Sequence, residues 1–306
     1  MSRRAILVTG ASSGIGLAIT RHLAGQGHRV YAGARKPDDL AALAEIANVQ
    51  PLRLDVRSAD EVQAARELVT AQGLGLYGLI NNAGVGELGP LLGWSDAQLQ
   101  RLFDINVYGP HRMTNAFMPL LLASRGRVVN IGSQGGSITS KYFGPYTMTK
   151  HALEAYTQAL QLELAPHGVA VSIVQPGGVA TKVGENAQDA TRAHFEQTPE
   201  PLRAEALQVL AAMSKPAPPR SDEPESATNR KLSDPAIVCT AVQEALFSDR
   251  PRLRYMVGTE WEGNRVLHAL LDANDGSSLH YPRERLIALL DEHLAARHTH
   301  AGDSRE

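Results

Sequence analysis

Thr9-Gly10-Ala11-Ser12-Ser13-Gly14-Ile15-Gly16 is the stretch on which the fold turns. It follows a strand-like run, Ala5 to Thr9, and leads into Ile15, Ile19 and Leu23, spaced by four as on one face of a helix. Glycines therefore sit where the backbone must turn tightly, admit a pyrophosphate and let a helix pack on a strand. A helix opened in this way presents free N–H groups and the positive end of its dipole to phosphates. In this position the motif reads as a dinucleotide-binding turn supplied by Gly10, Ser12, Ser13, Gly14, Ile15 and Gly16.

Outward from that turn, short β-branched runs alternate with longer helical patterns. Strands are predicted at Ala5–Thr9, Arg29–Ala32, Pro51–Leu54, Tyr77–Ile80, Arg127–Ile131, Val169–Val174 and Leu253–Val257. The rhythm predicts an α/β protein: a Rossmann-type, doubly wound, parallel seven-stranded sheet with helices on both faces. Gly10, Arg35, Asp55, Asn81, Ser133 and Pro176 all fall just after predicted strands, where parallel sheets bind ligands. Residues 181–234 break the pattern and are read as a small helical cap for a substrate, with a flexible loop at 214–231 rich in Pro, Ser and charge. Within it Leu202, Ala206, Leu210 and Met213 predict one apolar helical stripe. Residues 259–306 are read as a helical extension of a single domain covering 1–306.

An apolar fraction of 43% suffices to bury such a sheet. Lys and Arg number 30 against 32 Asp and Glu, a balance unlike that of a nucleic-acid binder, so a small molecule is the expected partner. Cys239 is the only cysteine, which excludes an intramolecular disulfide and a cysteine-rich metal site and suits the cytoplasm. The first strand begins so early that a cleavable leader is not expected, and no apolar run approaches the ~18 residues of a membrane span. The histidines show no paired metal spacing, and His298 with His300 sits in a polar tail expected to fray. No metal is expected. Arg250, Arg252 and Arg254 read as a solvated strand edge, and Trp94 and Trp261 as packing residues. Phe143 reads equally as packing or pocket lining.

Further motifs accompany the glycine turn: Asn81-Asn82-Ala83-Gly84 after the fourth strand, Asn106 in the next long helix, Ser133 at the end of the fifth strand and Tyr146-x-x-x-Lys150 beyond it. Together with Thr-Gly-x-x-x-Gly-x-Gly they resemble the short-chain dehydrogenase/reductase family over about residues 4 to 181. Within that family the Ala34-Arg35-Lys36 segment and the stretch Tyr146 to Glu154 are most similar to the subgroup of retinol and 17β-hydroxysteroid dehydrogenases. The resemblance implies that Asn106 holds a water linking Lys150 to solvent, and that Tyr146 and Lys150 also meet the nicotinamide ribose. It places Asp55 and Val56 at the adenine and Asn82, Ala83 and Gly84 beneath the ribose. Pro176, Gly177, Val179 and Thr181 would meet the nicotinamide. It further implies a homodimer or homotetramer.

The chemistry follows from the residue types. Pro145 suits the first turn of a helix that Pro166 and Gly168 end, so Tyr146 and Lys150 share a face. Ketone reduction needs a hydride at carbon and a proton at oxygen. A phenol with a pKa of ~10 is a poor base near neutrality. A lysine cation about 4 Å away, at an effective dielectric of about 20, favours phenolate by roughly 4 kcal/mol before desolvation opposes it. Ser133 would donate to the substrate oxygen, a contribution of ~3 kcal/mol. The second predicted strand ends not in the acid of an NAD site but in Arg35 and Lys36, and Arg35 can clamp a 2′-phosphate. NADP(H) is thus preferred, with NAD(H) as the alternative. The expected activity is interconversion of a ketone or aldehyde and an alcohol on a bulky apolar, steroid- or retinoid-like molecule. A 3-oxoacyl thioester reductase and a catalytically idle NADP-binding regulator are the alternatives.

Overall fold

Along the first strand Ile6 and Val8 face one way, Ala5 and Leu7 the other, and all four are buried. A strand achieves that only inside a sheet covered on both faces. The computed structural model describes residues 3–181, 187–213, 225–226 and 229–273, together with 284, 287, 288 and 291. Among them seven strands form one parallel sheet, β1 (Ala5–Val8), β2 (Arg29–Ala34), β3 (Val49–Arg53), β4 (Gly78–Asn81), β5 (Arg127–Ile131), β6 (Ala170–Pro176) and β7 (Arg254–Val257), in the order β3-β2-β1-β4-β5-β6-β7. The chain order of the strands reverses between β1 and β4, and the carboxyl ends of those strands are where such sheets place a ligand crevice.

Helices α1 (Gly14–Gly25) and α2 (Pro37–Ala44) cover one face, with Ile19, Leu23 and Leu43 buried against Ile6, Val8 and Val30. On the other face α3 (Ala59–Ala71) and α5 (Gly109–Ser124) bury Val62, Val69, Met113, Phe117 and Leu121 against Leu7 and Val128. Each such side chain stabilises the fold by about 1.5–3 kcal/mol before entropic losses. Between α3 and α5 lies α4 (Asp96–Phe103), opened by a capping box of Ser95 and Gln98. Helix α6 (Gly144–Leu164) follows β5, with Pro145 in its first turn and left-handed Gly168 just beyond its end.

The insertion after β6 contains α7 (Gln188–Glu196) and α8 (Arg203–Met213). The apolar stripe predicted along α8 is not a buried face: Ala206 is buried, but Leu202 and Met213 are exposed. Much of the loop predicted at 214–231 lies outside the described residues, as do the tail histidines His298 and His300. The chain then returns through α9 (Ala236–Phe247), which packs on the α1 face, to β7 and α10 (Glu260–Ala273). Two compact units result, Met1–Gly263 and Asn264–Glu306, the second holding the remainder of α10 among its described residues. Among the described residues no helix is long and apolar enough to cross a membrane, and no group of three metal-ligating side chains occurs.

Candidate active site

The glycine turn is locked to the end of β4. A Cβ on Gly10, whose φ is +62°, would lie 2.9 Å from Ala83 Cα, and one on Gly16 would lie 2.3 Å from the Gly10 carbonyl oxygen. Asn82 Nδ2 donates to the carbonyls of Thr9 (2.9 Å) and Gly10 (3.0 Å), while the Thr9 hydroxyl accepts from the N–H groups of Asn82 (3.0 Å) and Ala83 (2.9 Å). Thr9, which opens the motif but received no role of its own from the sequence, is thus a site-building residue. Helix α1 has neither a side-chain cap from Ser13 nor an acid in its first turn. Its first N–H groups thus face the crevice ready for an anion, which fits the pyrophosphate of a nicotinamide dinucleotide.

The chemical cluster stands at the ends of β5 and α6. The Ser133 hydroxyl accepts from Gly135 N–H at 3.0 Å and also bonds the Tyr146 phenol. Lys150 is buried, and its Nζ donates to the Ile131 carbonyl at 2.9 Å and lies 5.7 Å from the centre of the Tyr146 ring. The predicted depression of the tyrosine pKa does not hold in this arrangement. Burial pushes the phenol up, against an opposing hydrogen bond from Ser133. Burial likewise lowers Lys150 to about 8, with Glu154 opposing. The Lys150 cation stands beside the Tyr146 ring, and for both groups the cost of burying a charge outweighs what their neighbours return.

Glu154, one turn after Lys150, is buried and accepts from Gln175 (2.8 Å) and Arg254 (2.8 Å). Arg254 therefore ties β7 to α6 while remaining exposed on the edge strand, and Arg252 pairs with exposed Glu244.

Asn106 lies not in a long α-helix but in a π-helical turn, Asp104–Tyr108, between α4 and α5. Its amide clasps the Val85 backbone, accepting from N–H and donating to C=O at 2.9 Å each, and donates to Thr149 on α6 at 3.0 Å. Those bonds use both amide hydrogens, so a water could meet this side chain only as a donor to its oxygen. Asn81 joins a buried chain through Asn130 to Thr157, a structural role.

At the far end of the crevice, Arg35 and Lys36 are exposed and make no ion pair among the described residues. The Asp55 carboxylate is half-buried and taken up by Arg57 at 2.6 Å, a cation the sequence reading missed. Its hydrogen bond from Arg57 outweighs burial and holds Asp55 below the usual carboxylate range. Val56 is buried against Gly109.

Pro176–Thr181 returns over the start of α1: Thr181 Cβ lies 3.3 Å from where a Cβ on Gly14 would stand. Val179 bridges to Ser233, and Ser233 N–H donates to the Gly178 carbonyl at 2.8 Å. Beyond it, His194 on α7 stacks on Trp94 with ring centres 3.6 Å apart and meets the buried Glu87 carboxylate at 3.3 Å. Arg101 holds the same carboxylate. Trp94 packs as expected, whereas Phe143 at the head of α6 is exposed.

A parallel sheet with a glycine turn at its switch point and a serine, tyrosine and lysine at the neighbouring strand ends defines a dinucleotide-dependent oxidoreductase. The family model described as short chain dehydrogenase matches residues 4–192, and the chain belongs to that family as an oxidoreductase acting on alcohol groups. It is 34% identical over 271 residues to the uncharacterized oxidoreductase YbbO of Escherichia coli K12, covering 88% of this chain and 91% of the relative. It is 32% identical to mitochondrial D-beta-hydroxybutyrate dehydrogenase of Rattus norvegicus, covering 83% and 76%. Among solved structures, a short-chain dehydrogenase from Streptomyces avermitilis superposes with a TM-score of 0.70 at 26% identity, covering 98% of this chain and 99% of the other. Actinorhodin polyketide ketoreductase with NADPH gives 0.67 at 29% identity, covering 83% and 95%.

Proposed function

We propose that this chain is an NADP(H)-dependent short-chain oxidoreductase that interconverts a bulky, apolar ketone or aldehyde and its alcohol, with Ser133, Tyr146 and Lys150 as catalytic residues and Asn106 supporting them. The contact among Ser133, Tyr146 and Lys150 beside the glycine turn carries this reading. A bound reduced nicotinamide supplies hydride. Ser133 holds the substrate oxygen and stabilises the negative charge that grows on it. Tyr146 gives its hydroxyl proton to that oxygen, and Lys150, charged below about pH 8, stabilises the phenolate left behind. In the reverse direction the phenolate accepts the alcohol proton.

Exposed Arg35, with no acid in its place, supports a preference for the 2′-phosphate of NADP(H). Leu91, whose Cδ1 comes within 3.9 Å of the Cβ position of Gly144, and Phe143 are both exposed at the head of α6. They favour an apolar substrate. A cytoplasmic homodimer or homotetramer is in keeping with the lone buried Cys239 and with exposed Tyr108, Leu122 and Leu162 on and beside α5 and α6. The test is a panel of bulky and small carbonyl compounds, thioesters included, followed by NADPH absorbance, with kcat/KM compared for NADPH and NADH. Turnover of large ketones with NADPH is expected; a preference for NADH or for carrier-type thioesters would replace the corresponding part of the reading, and inertness across the panel would favour a regulator.

A further inference from the structure

Thr259-Glu260-Trp261-Glu262 has the spacing of a capping box, in which the threonine caps the helix and the glutamate folds back on it. Only half of that box forms. The Thr259 hydroxyl accepts from Glu262 N–H at 3.3 Å, but the Glu262 carboxylate turns away from its own helix. Its Oε1 accepts from Gly178 N–H at 2.8 Å and from Arg230 at 2.9 Å, and the residue is wholly buried.

The seat it enters exists because of glycine. A Cβ on Gly177 would lie 2.0 Å from Glu262 Oε2, and one on Gly258 would lie 2.8 Å from the same atom. Gln134, the residue after Ser133, comes within 2.9 Å of both Cβ positions and donates to the Val257 carbonyl at 3.4 Å. One carboxylate oxygen therefore joins the residue pair after β6 to the returning stretch of the insertion through Arg230, while the other is packed into the glycine seat beside the end of β7 with no hydrogen-bond partner among the described residues. A carboxylate accepting from a backbone N–H makes a charge-assisted bond, roughly twice as strong as a neutral one. Burying it would be costly without those donors, and Arg230 brings the compensating charge.

We propose that Glu262 is a positioning residue that fixes Gly178, and with it the Pro176–Thr181 loop, in the conformation that receives the nicotinamide half of the cofactor. This rests on the reading of that loop as the nicotinamide contact. Glu262 touches no reacting atom and acts only through the backbone it holds. The adenosine half of the cofactor lies at the other end of the crevice, near Arg35 and Asp55, beyond the reach of this carboxylate.

The test uses the full chain and compares binding of NADPH and NADH with binding of 2′,5′-ADP and ADP, which lack the nicotinamide, in the wild type, Glu262→Ala, Glu262→Gln and Arg230→Ala. Amide exchange at Gly178 in the cofactor-free protein is measured alongside. In Glu262→Ala the better-bound coenzyme should lose about tenfold in affinity while its adenosine fragment changes less than about twofold, the loss expected for a hydrogen bond to a charged group. Gly178 should exchange faster and the amides of α1 should not. Glu262→Gln keeps an acceptor and should recover most of the affinity, and Arg230→Ala, with the Gly178 bond intact, should lose less than Glu262→Ala. If Glu262→Ala fails to fold, the Gln and Arg230 variants decide by the same comparison. Equal weakening of coenzyme and fragment, or faster Gly178 exchange with unaltered coenzyme binding, would overturn the proposal alone. A wild type that binds coenzymes no tighter than their fragments would overturn the reading of the loop, and the proposal with it.

Discussion

Lys150 points its ammonium at the Ile131 carbonyl, 2.9 Å away, so the last residue of β5 and the second turn of α6 are joined beneath the phenol of Tyr146. The bond holds a cation where burial disfavours one, lowering its pKa to about 8. A base whose folded pKa lies below its unfolded value destabilises the fold wherever the unfolded chain is protonated. Stability should therefore rise between about pH 8 and the onset of tyrosine ionisation near pH 10. Lys150→Met should remove that rise and be at least as stable as the wild type at pH 7, while losing turnover. Denaturant midpoints at pH 7 and pH 9.5 check this, and a Met variant much less stable at pH 7 would refute it.

Tyr146 meets Ser133 through its hydroxyl and contributes little else that phenylalanine would not. Tyr146→Phe should retain cofactor binding, measured by fluorescence titration, and lose at least about 100-fold in kcat, the usual scale of general acid catalysis. Near-normal turnover would show that the proton comes from elsewhere.

Arg35 stands exposed after β2 with no ion-pair partner among the described residues. Arg35→Asp places an acid where an adenosine ribose would lie, and should lower kcat/KM for NADPH about 100-fold or more while sparing or improving NADH. Equal effects on both coenzymes would mean that the arginine does not face the 2′-position.

Glu87 is buried between His194 and Arg101. Burial alone would raise its pKa, but the hydrogen bonds and charges of His194 and Arg101 overcome that and leave it lowered. A carboxyl with a depressed folded pKa contributes stability above its unfolded pKa, near ~4.3, and loses it as pH falls through the folded value. Glu87→Gln should cost about 3 kcal/mol at pH 7, with the difference shrinking below about pH 4. Urea titrations at both pH values measure it; a constant difference would point to packing rather than charge.

Much of this was legible in one dimension. Strand and helix periods follow from alternation and four-residue spacing, and Thr9-Gly10 to Gly16, Ser133, Tyr146 and Lys150 lie close enough to strand ends for the parallel sheet itself to gather them. The parts that stayed hidden depend on distant partners. Glu262 reads as a helix cap until Gly177 and Gly258 make room for it. Nothing in the sequence singles out Glu87 until α7 brings His194 to it, and the apolar stripe predicted from Leu202 to Met213 does not reveal that both of those residues lie outward.

The sequence by itself determined the order of strands and helices along the chain, the glycine turn between the first strand and helix, and which serine, tyrosine and lysine are proposed to handle the proton, because each is encoded within a few neighbouring residues. The tertiary structure alone decided how far burial shifts Tyr146 and Lys150, which carboxylates are held, and what anchors the Pro176 loop. Desolvation and pairing energies depend on what packs around a group, and those neighbours come from positions a hundred or more residues away, as with Arg254 and Glu154 or Glu87 and His194.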